Sequence, residues 1–271
     1  MNTIHLNQLI TYPLKSAAGI YTTKAVVTRR GLANDRHWVI FTTDGNMMTA
    51  RQHPKLLALV PQIKSTGLHL QVNNDNKHML INYPAPDSSL TTIKIFSDEA
   101  TGAKANAEAN QWLSDYLGID CQLFFMNAAS NRIALQGRGG QPDDIASYAD
   151  EAPILLVSTA SLANLNRKLE LPVSMKHFRP NLVVEGCPAF AEDDWKRIQI
   201  GACEFEIAQR CKRCVFTTIN PETLEKRKDG EPLRTLATYR KHPRGGVGFG
   251  VHLIPRKLGT IQAGDEVKVF T

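Results

Sequence analysis

Three features of the sequence predict a mainly β fold with peripheral helices, of the α+β kind. Short apolar runs rich in Val, Ile, Leu and Phe recur along the chain, bounded by Gly, Pro, Asn or Asp. Few windows carry a helical apolar period. Neither a Gly-x-Gly-x-x-Gly after a strand nor a Gly-x4-Gly-Lys-Ser/Thr occurs, which sets aside the common nucleotide-binding folds. Many short strands with few helices favour β-barrels over a doubly wound sheet. The expected arrangement is an N-terminal β-barrel-like domain over 1–126 and a C-terminal β-barrel over 127–271.

Residues 4–14 and 26–30 read as the first strands. Residues 38–43, Asp44-Gly45 and 46–49 predict a hairpin, because Asp-Gly suits the positive φ angles of a type I′ turn. Further strands are expected at 56–63, 68–72, 79–83 and 92–96. Residues 104–117 are the helical exception. Trp112, Leu113, Tyr116 and Leu117 share one face, and Gly118 suits the left-handed residue that ends a helix. Residues 121–126 return to a buried strand. The stretch 127–144 is polar and rich in Gly and Arg, including Arg138-Gly139-Gly140, and reads as a long loop or inter-domain linker. Beyond it, 153–157 is an apolar strand, and Ser158 or Thr159 caps a helix carrying Leu162, Leu165 and Leu169. Residues 178–184, 197–207 and 266–270 are the later strands, and 231–241 a short helix. No internal repeat interrupts the series.

A chain of 271 residues with 42% apolar and 21% charged residues suits an ordinary globular protein. The net charge of +6 and pI near 9.1 favour anionic ligands. No block of consecutive Lys or Arg resembles a nucleic-acid-binding tail, so nucleic acid is not expected as the main partner. The N-terminus lacks a basic segment followed by an apolar one, and no run approaches the roughly 20 apolar residues of a membrane span. Five cysteines without a secretory signal point to a reducing compartment, and cytoplasm is the expectation.

Chemistry concentrates in Cys211-Lys212-Arg213-Cys214. A thiolate is a soft metal ligand, and neighbouring Lys and Arg favour it over the thiol. The same four residues also fit a zinc half-site, a redox dithiol or two incidental cysteines. Zinc is the weaker of these, because Cys121, Cys187 and Cys203 are isolated and no His-x3–5-His pair exists. Elsewhere a cation stands beside a small polar group at strand ends: Lys15-Ser16, Arg36 after Asn34-Asp35, and Arg179 before Pro180-Asn181. Arginine's planar fork matches phosphate and carboxylate, so the theme suits a phosphate-bearing ligand in a cleft.

These segments occur in a recognisable order. Tyr12-Pro-Leu-Lys-Ser16, Asn34-Asp-Arg-His-Trp38, Met48-Thr-Ala-Arg-Gln-His-Pro54 and Tyr148-Ala-Asp-Glu-Ala-Pro153 come first. Ser161-Leu-Ala-Asn-Leu-Asn166, Phe178-Arg-Pro-Asn181, Ala191-Glu-Asp-Asp-Trp195 and Cys211-Lys-Arg-Cys-Val-Phe-Thr-Thr-Ile-Asn-Pro221 follow. Over essentially its whole length the chain resembles MOSC-domain proteins (the molybdenum cofactor sulfurase C-terminal module) with their N-terminal β-barrel domain. The likeness is to the amidoxime-reducing branch, the mitochondrial enzymes and their bacterial relatives.

The resemblance implies a molybdenum–molybdopterin cofactor with Cys214 as the molybdenum ligand. It places Lys15, Ser16 and Arg36 against the pterin and its phosphate from the first domain. Arg179, Asn181, Lys212 and Arg213 do so from the second, with Asp150 accepting hydrogen bonds from pterin nitrogens. His252 is counted with the cofactor-binding residues too; Lys212 stands where animal members have serine and His252 where they have tyrosine. Cys211 reads as structural or incidental. Arg51 and His252 are the candidates for the substrate side. A family-level association with pyridoxal phosphate binding comes with the same likeness. The implied reaction is two-electron reduction of a small N-hydroxylated substrate, molybdenum cycling between Mo(IV) and Mo(VI). The chain carries no ferredoxin-type cysteine motif, so the electron donor is expected to be a separate flavin or iron–sulfur protein. Two alternatives remain: a cofactor or persulfide carrier, and a non-catalytic module that binds small anions.

Overall fold

The structure is a computed structural model that describes residues 3–135, 140–243 and 245–270. Arg138 and Gly139 of the expected linker therefore lie outside the described residues. The first half contains β1 (His5–Thr11), β2 (Ile20–Thr22), β3 (Lys24–Thr28), β4 (Gly31–Leu32), β5 (Trp38–Thr42), β6 (Leu59–Lys64), β7 (Gly67–Val72), β8 (His78–Asn82), β9 (Leu90–Ile95), β10 (Asp98–Lys104), α1 (Ala107–Leu117) and β11 (Cys121–Phe125). The second contains β12 (Ile154–Ser158), α2 (Thr159–Asn166), β13 (Leu182–Glu185), β14 (Arg197–Ile200), β15 (Cys203–Arg213), α3 (Leu233–Tyr239), β16 (Val247–Lys257), β17 (Gly259–Gln262) and β18 (Val267–Phe270).

The fold is mainly β with peripheral helices, as expected. Its largest sheet has the order β18-β14-β15-β16-β12-β13-β1-β2 and takes its last two strands from the start of the chain. Three smaller sheets, β5-β11-β10-β9, β17-β3-β4 and β6-β7-β8, surround it. None of the four closes into a barrel among the described residues. No helix is long and apolar enough to cross a membrane.

Local chemistry explains α1 and α2. Asn106 caps α1 by accepting from the Ala109 N–H at 2.9 Å, and Gly118 ends it at φ +72°. Ala109, Leu113 and Leu117 are its buried face, while Trp112 and Tyr116 stack at 6.0 Å on the half-covered flank. Ser158 caps α2 through the Ser161 N–H at 3.0 Å. The first core forms where α1 covers Leu14, Trp38, Ile40 and Leu123; a second lies on the large sheet around Leu6, Leu156, Leu182, Phe205 and Leu253.

Several expectations are corrected. Residues 54–58 form a 3-10 turn opened by Pro54, and the strand starts only at Leu59. At Asp44-Gly45 only Gly45 has positive φ, so the turn is not type I′; Thr42 N–H bonds to Asn46 O and the return strand shrinks to one Phe41–Met47 bridge. Residues 197–207 are not one strand but the hairpin of β14 and β15, reversed at Gly201. The strand expected from 178 begins at Leu182, because Arg179 is left-handed and Pro180 follows it. Missing from the expectation were β2, β4, β10, β16 and β17. In β10 and β16 small residues and glycines hide the pattern, although β16 is buried from Val247 to Pro255.

Candidate functional site

A cavity of about 350 Å³ opens between the end of β1, the β9–β10 turn, residues 149–152, the entry to β13 and the end of β15. Lys15, Ser16, Arg36, Arg51, Asp150, Arg179, Asn181, Lys212, Arg213, Cys214 and His252 all line it. Every site residue singled out in the sequence is therefore brought to one place.

The first wall is built on left-handed backbone. Ser16, Arg36 and Arg179 have φ of 70°, 51° and 53°. Non-glycine residues held there cost of order 1 kcal/mol each, and such strain collects at functional sites. Arg36 and Arg179 stack on the Tyr12 ring, at 4.3 and 4.1 Å from its centroid. Burial pushes the Tyr12 phenol well up, against the pull of Arg179 and Arg36, so the ring is a neutral platform for two cations. Arg36 Nη1 donates to Asp35 at 2.5 Å and to Asn181 Oδ1 at 2.9 Å, and Nη2 donates to Arg179 O at 3.2 Å. Asp35 is fully buried; burial pushes its carboxyl up against the pull of Arg36.

Asn181 lines the cavity but spends its polar valences within the protein. Its Nδ2 donates to Ile10 O and Asp35, and its Oδ1 accepts from Arg36 and the Leu155 N–H. It is a clasp that aims Arg36. Lys15, 5% exposed, donates to Tyr148 O at 2.7 Å and to the Asp150 carboxylate. Burial brings its ammonium down to about 8, against the opposing pull of Asp150. At Asp150, desolvation by the cavity walls works to raise the carboxyl, but Lys15, Arg51 and Arg36 outweigh it and hold it well below the usual carboxylate range.

The opposite wall depends on a bulge. Arg210 pairs with Val251 and Lys212 with Gly248, so Phe249 and Gly250 of β16 face the single residue Cys211. Gly250 takes φ +76°, and a Cβ there would lie 2.6 Å from Leu156 O. The bulge re-aims the last residues of β15 at the cavity. Cys211 is buried and accepts from Arg213 Nη1 at 2.9 Å; burial pushes its thiol up, against the pull of that arginine. Cys214 is exposed, with Arg51 Nη1 at 3.9 Å from its sulfur. His252 Nδ1 lies 3.6 Å from Glu151 and 3.5 Å from Gln209.

Two residues escaped the sequence reading. Arg132, 1% exposed, donates to the carbonyls of Ser147, Ala149 and Asp150 and pairs with Asp98 at 2.9 Å. It pins the segment that presents Asp150, yet it sits in the stretch that reads as a linker. Phe96 stands in the cavity wall, with Arg51 and Lys15 at 4.9 and 5.3 Å from its ring centroid.

The lining holds six cations (Lys15, Arg36, Arg51, Arg179, Lys212, Arg213) against two carboxylates, Asp150 and Glu151. Arg179 Nη2 and Arg213 Nε are buried with no hydrogen-bond partner among the described residues. Among the described residues, no group of three or more His, Cys, Asp or Glu could hold a metal ion. A metal at Cys214 has to bring most of its ligands with it.

Comparison with known proteins bears on the family. Residues 3–120 match the MOSC N-terminal beta barrel domain and residues 143–268 the MOSC domain. Mitochondrial amidoxime-reducing component 1 of Danio rerio is 33% identical over 98% of this chain and 85% of its own length. That of Homo sapiens is 33% identical over 96% of this chain and 81% of its own. Among solved structures, the YuaD protein of Bacillus subtilis covers 98% of this chain and 95% of its own at 14% identity, with a TM-score of 0.44, too distant to inform the site. At such coverage and identity, the chain belongs to the MOSC-domain family that includes the mitochondrial amidoxime-reducing components.

Proposed function

We propose that the protein is a molybdenum-cofactor-dependent reductase of N-hydroxylated compounds. The observation that carries this reading is an exposed Cys214 thiol at the edge of a cavity lined by six cations. That donor set fits an anionic pterin phosphate that delivers a soft metal to a single thiolate. Lys15, Ser16, Arg36 and Arg179 would hold the group from one wall, and Lys212 and Arg213 from the other. Asn181 aims Arg36. Asp150, fixed by Lys15 and Arg132, accepts from ring N–H groups.

When bound, the cofactor supplies a two-electron couple at the sulfur of Cys214. The net reaction is R–NH–OH + 2e⁻ + 2H⁺ → R–NH₂ + H₂O: the N–O bond breaks and both electrons come from a separate flavin or iron–sulfur protein. Arg51 and His252 face the substrate, and the amidoxime-reducing relatives suggest the amidoxime as its prototype. Molybdenum content per chain tests the reading, measured by plasma mass spectrometry on protein made in a host that supplies the cofactor. Near one molybdenum per parent chain and its loss in Cys214→Ser are expected, followed by amidoxime reduction with an added donor protein. Absence of molybdenum, with a control enzyme loaded in the same cells, sinks it.

A further inference from the structure

The cavity wall beside Cys214 is not only cationic. Phe96 is the first residue of a two-residue turn, since Ile95 and Asp98 pair across β9 and β10. It has φ +57°, and Ser97 is not left-handed, so the turn has the II′ form that normally takes glycine at this place. A bulky residue there is a backbone outlier. Burial does not account for it, because Phe96 is 44% exposed. Strain kept without burial, in the wall of a cavity, points to a ligand.

The ring's neighbours place it relative to the reacting end. Arg51 packs on Phe96 at 4.9 Å and also reaches the Cys214 sulfur at 3.9 Å. One guanidinium therefore spans the distance from aromatic wall to thiol. Resting on the reductase reading, a substrate whose N–O group is brought to Cys214 extends its remaining atoms along Arg51 toward Phe96. We propose that Phe96 and Arg51 form a stacking platform that selects planar, conjugated N-hydroxylated substrates, such as aryl amidoximes and N-hydroxylated bases, over compact aliphatic ones. The phenyl ring and the guanidinium plane both stack on π-faces, which an aliphatic substrate lacks.

Titration calorimetry on the full chain, made in a cofactor-supplying host, tests this with benzamidoxime and acetamidoxime. The parent is expected to prefer benzamidoxime, and Phe96→Leu to lower the ratio of the two affinities about five-fold. Phe96→Gly relieves the backbone outlier, so it is expected to keep the melting temperature of the parent while losing the preference. It serves where the leucine variant folds poorly. Equal or undetectable binding of the two probes to the parent, or a preference that survives both substitutions, overturns the platform. Turnover of both probes by the parent is scored separately. Preference without turnover leaves the platform standing and removes the reductase reading; turnover without preference does the reverse.

Discussion

Lys15 carries the sharpest electrostatic consequence at the scale of single residues. Its ammonium is buried, and its affinity for a proton falls from the ordinary 10.5 to about 8. Below pH 8 it is protonated in both folded and unfolded chains, and the folded state bears the full cost of desolvating it. Between pH 8 and 10.5 the unfolded chain binds more protons, so folding becomes more favourable as pH rises; the gain is complete above 10.5. The unfolding free energy of the parent minus that of Lys15→Met should therefore climb across this window by on the order of 3 kcal/mol. Urea melts at a series of pH values measure it, and a flat difference refutes the assignment. Arg36 and Arg179 stood out in the sequence as cations beside small polar residues at strand ends, and the family resemblance singled out Cys214. Phe96 was not, since it closes an apolar run and only its backbone angle sets it apart. Arg132 was not either, because its partners are mostly backbone carbonyls, which no side-chain pattern encodes.

Among the elements, the β15–β16 pair decides where the Cys-x-x-Cys segment points. The sequence of β16 starts Val247-Gly-Phe-Gly-Val251, and its glycines hide a strand buried from Val247 to Pro255. Gly250 is required twice, by its φ of +76° and by the carbonyl of Leu156 2.6 Å from any Cβ. Gly250→Ala should therefore destabilise by about 2–3 kcal/mol, combining left-handed strain with overpacking. Gly45→Ala is the control: its φ is +86°, but nothing lies within 4 Å of an added Cβ, so only the conformational cost of about 1 kcal/mol applies. Denaturant unfolding compares them, and equal losses would show that the bulge is not tightly packed. Where helices were legible, local signals sufficed: Asn106 and Gly118 bracket α1, and Ser158 opens α2. Strand limits were less legible because they depend on partners far along the chain. The β14–β15 reversal at Gly201 reads as one apolar run until pairing with β16 and β18 divides it.

For the whole molecule, the change of texture near residue 127 marks a division in sequence, but the sheets cross it. Strand β1 lies between β13 and β2 in the large sheet, and β17 pairs with β3. Leu6, Leu9 and Ile10 of β1 are almost wholly buried, as are Leu182, Val183 and Val184 of β13. A chain lacking the first half would open the β13 edge and strip those residues of cover, leaving an apolar strand with unpaired backbone groups. The cavity makes the same point. Lys15, Arg36 and Phe96 come from before the division, whereas Arg179, Arg213 and Cys214 come from after it. Residues 127–271 expressed alone should therefore be insoluble or molten, with little dispersion in an amide NMR spectrum. Co-expression with residues 1–126 should restore a dispersed spectrum and the cation cluster together. A well-dispersed spectrum from 127–271 alone would mean that β1 only decorates a sheet able to stand without it. The site would then be an assembly of two independent modules, not the product of one interlocked sheet.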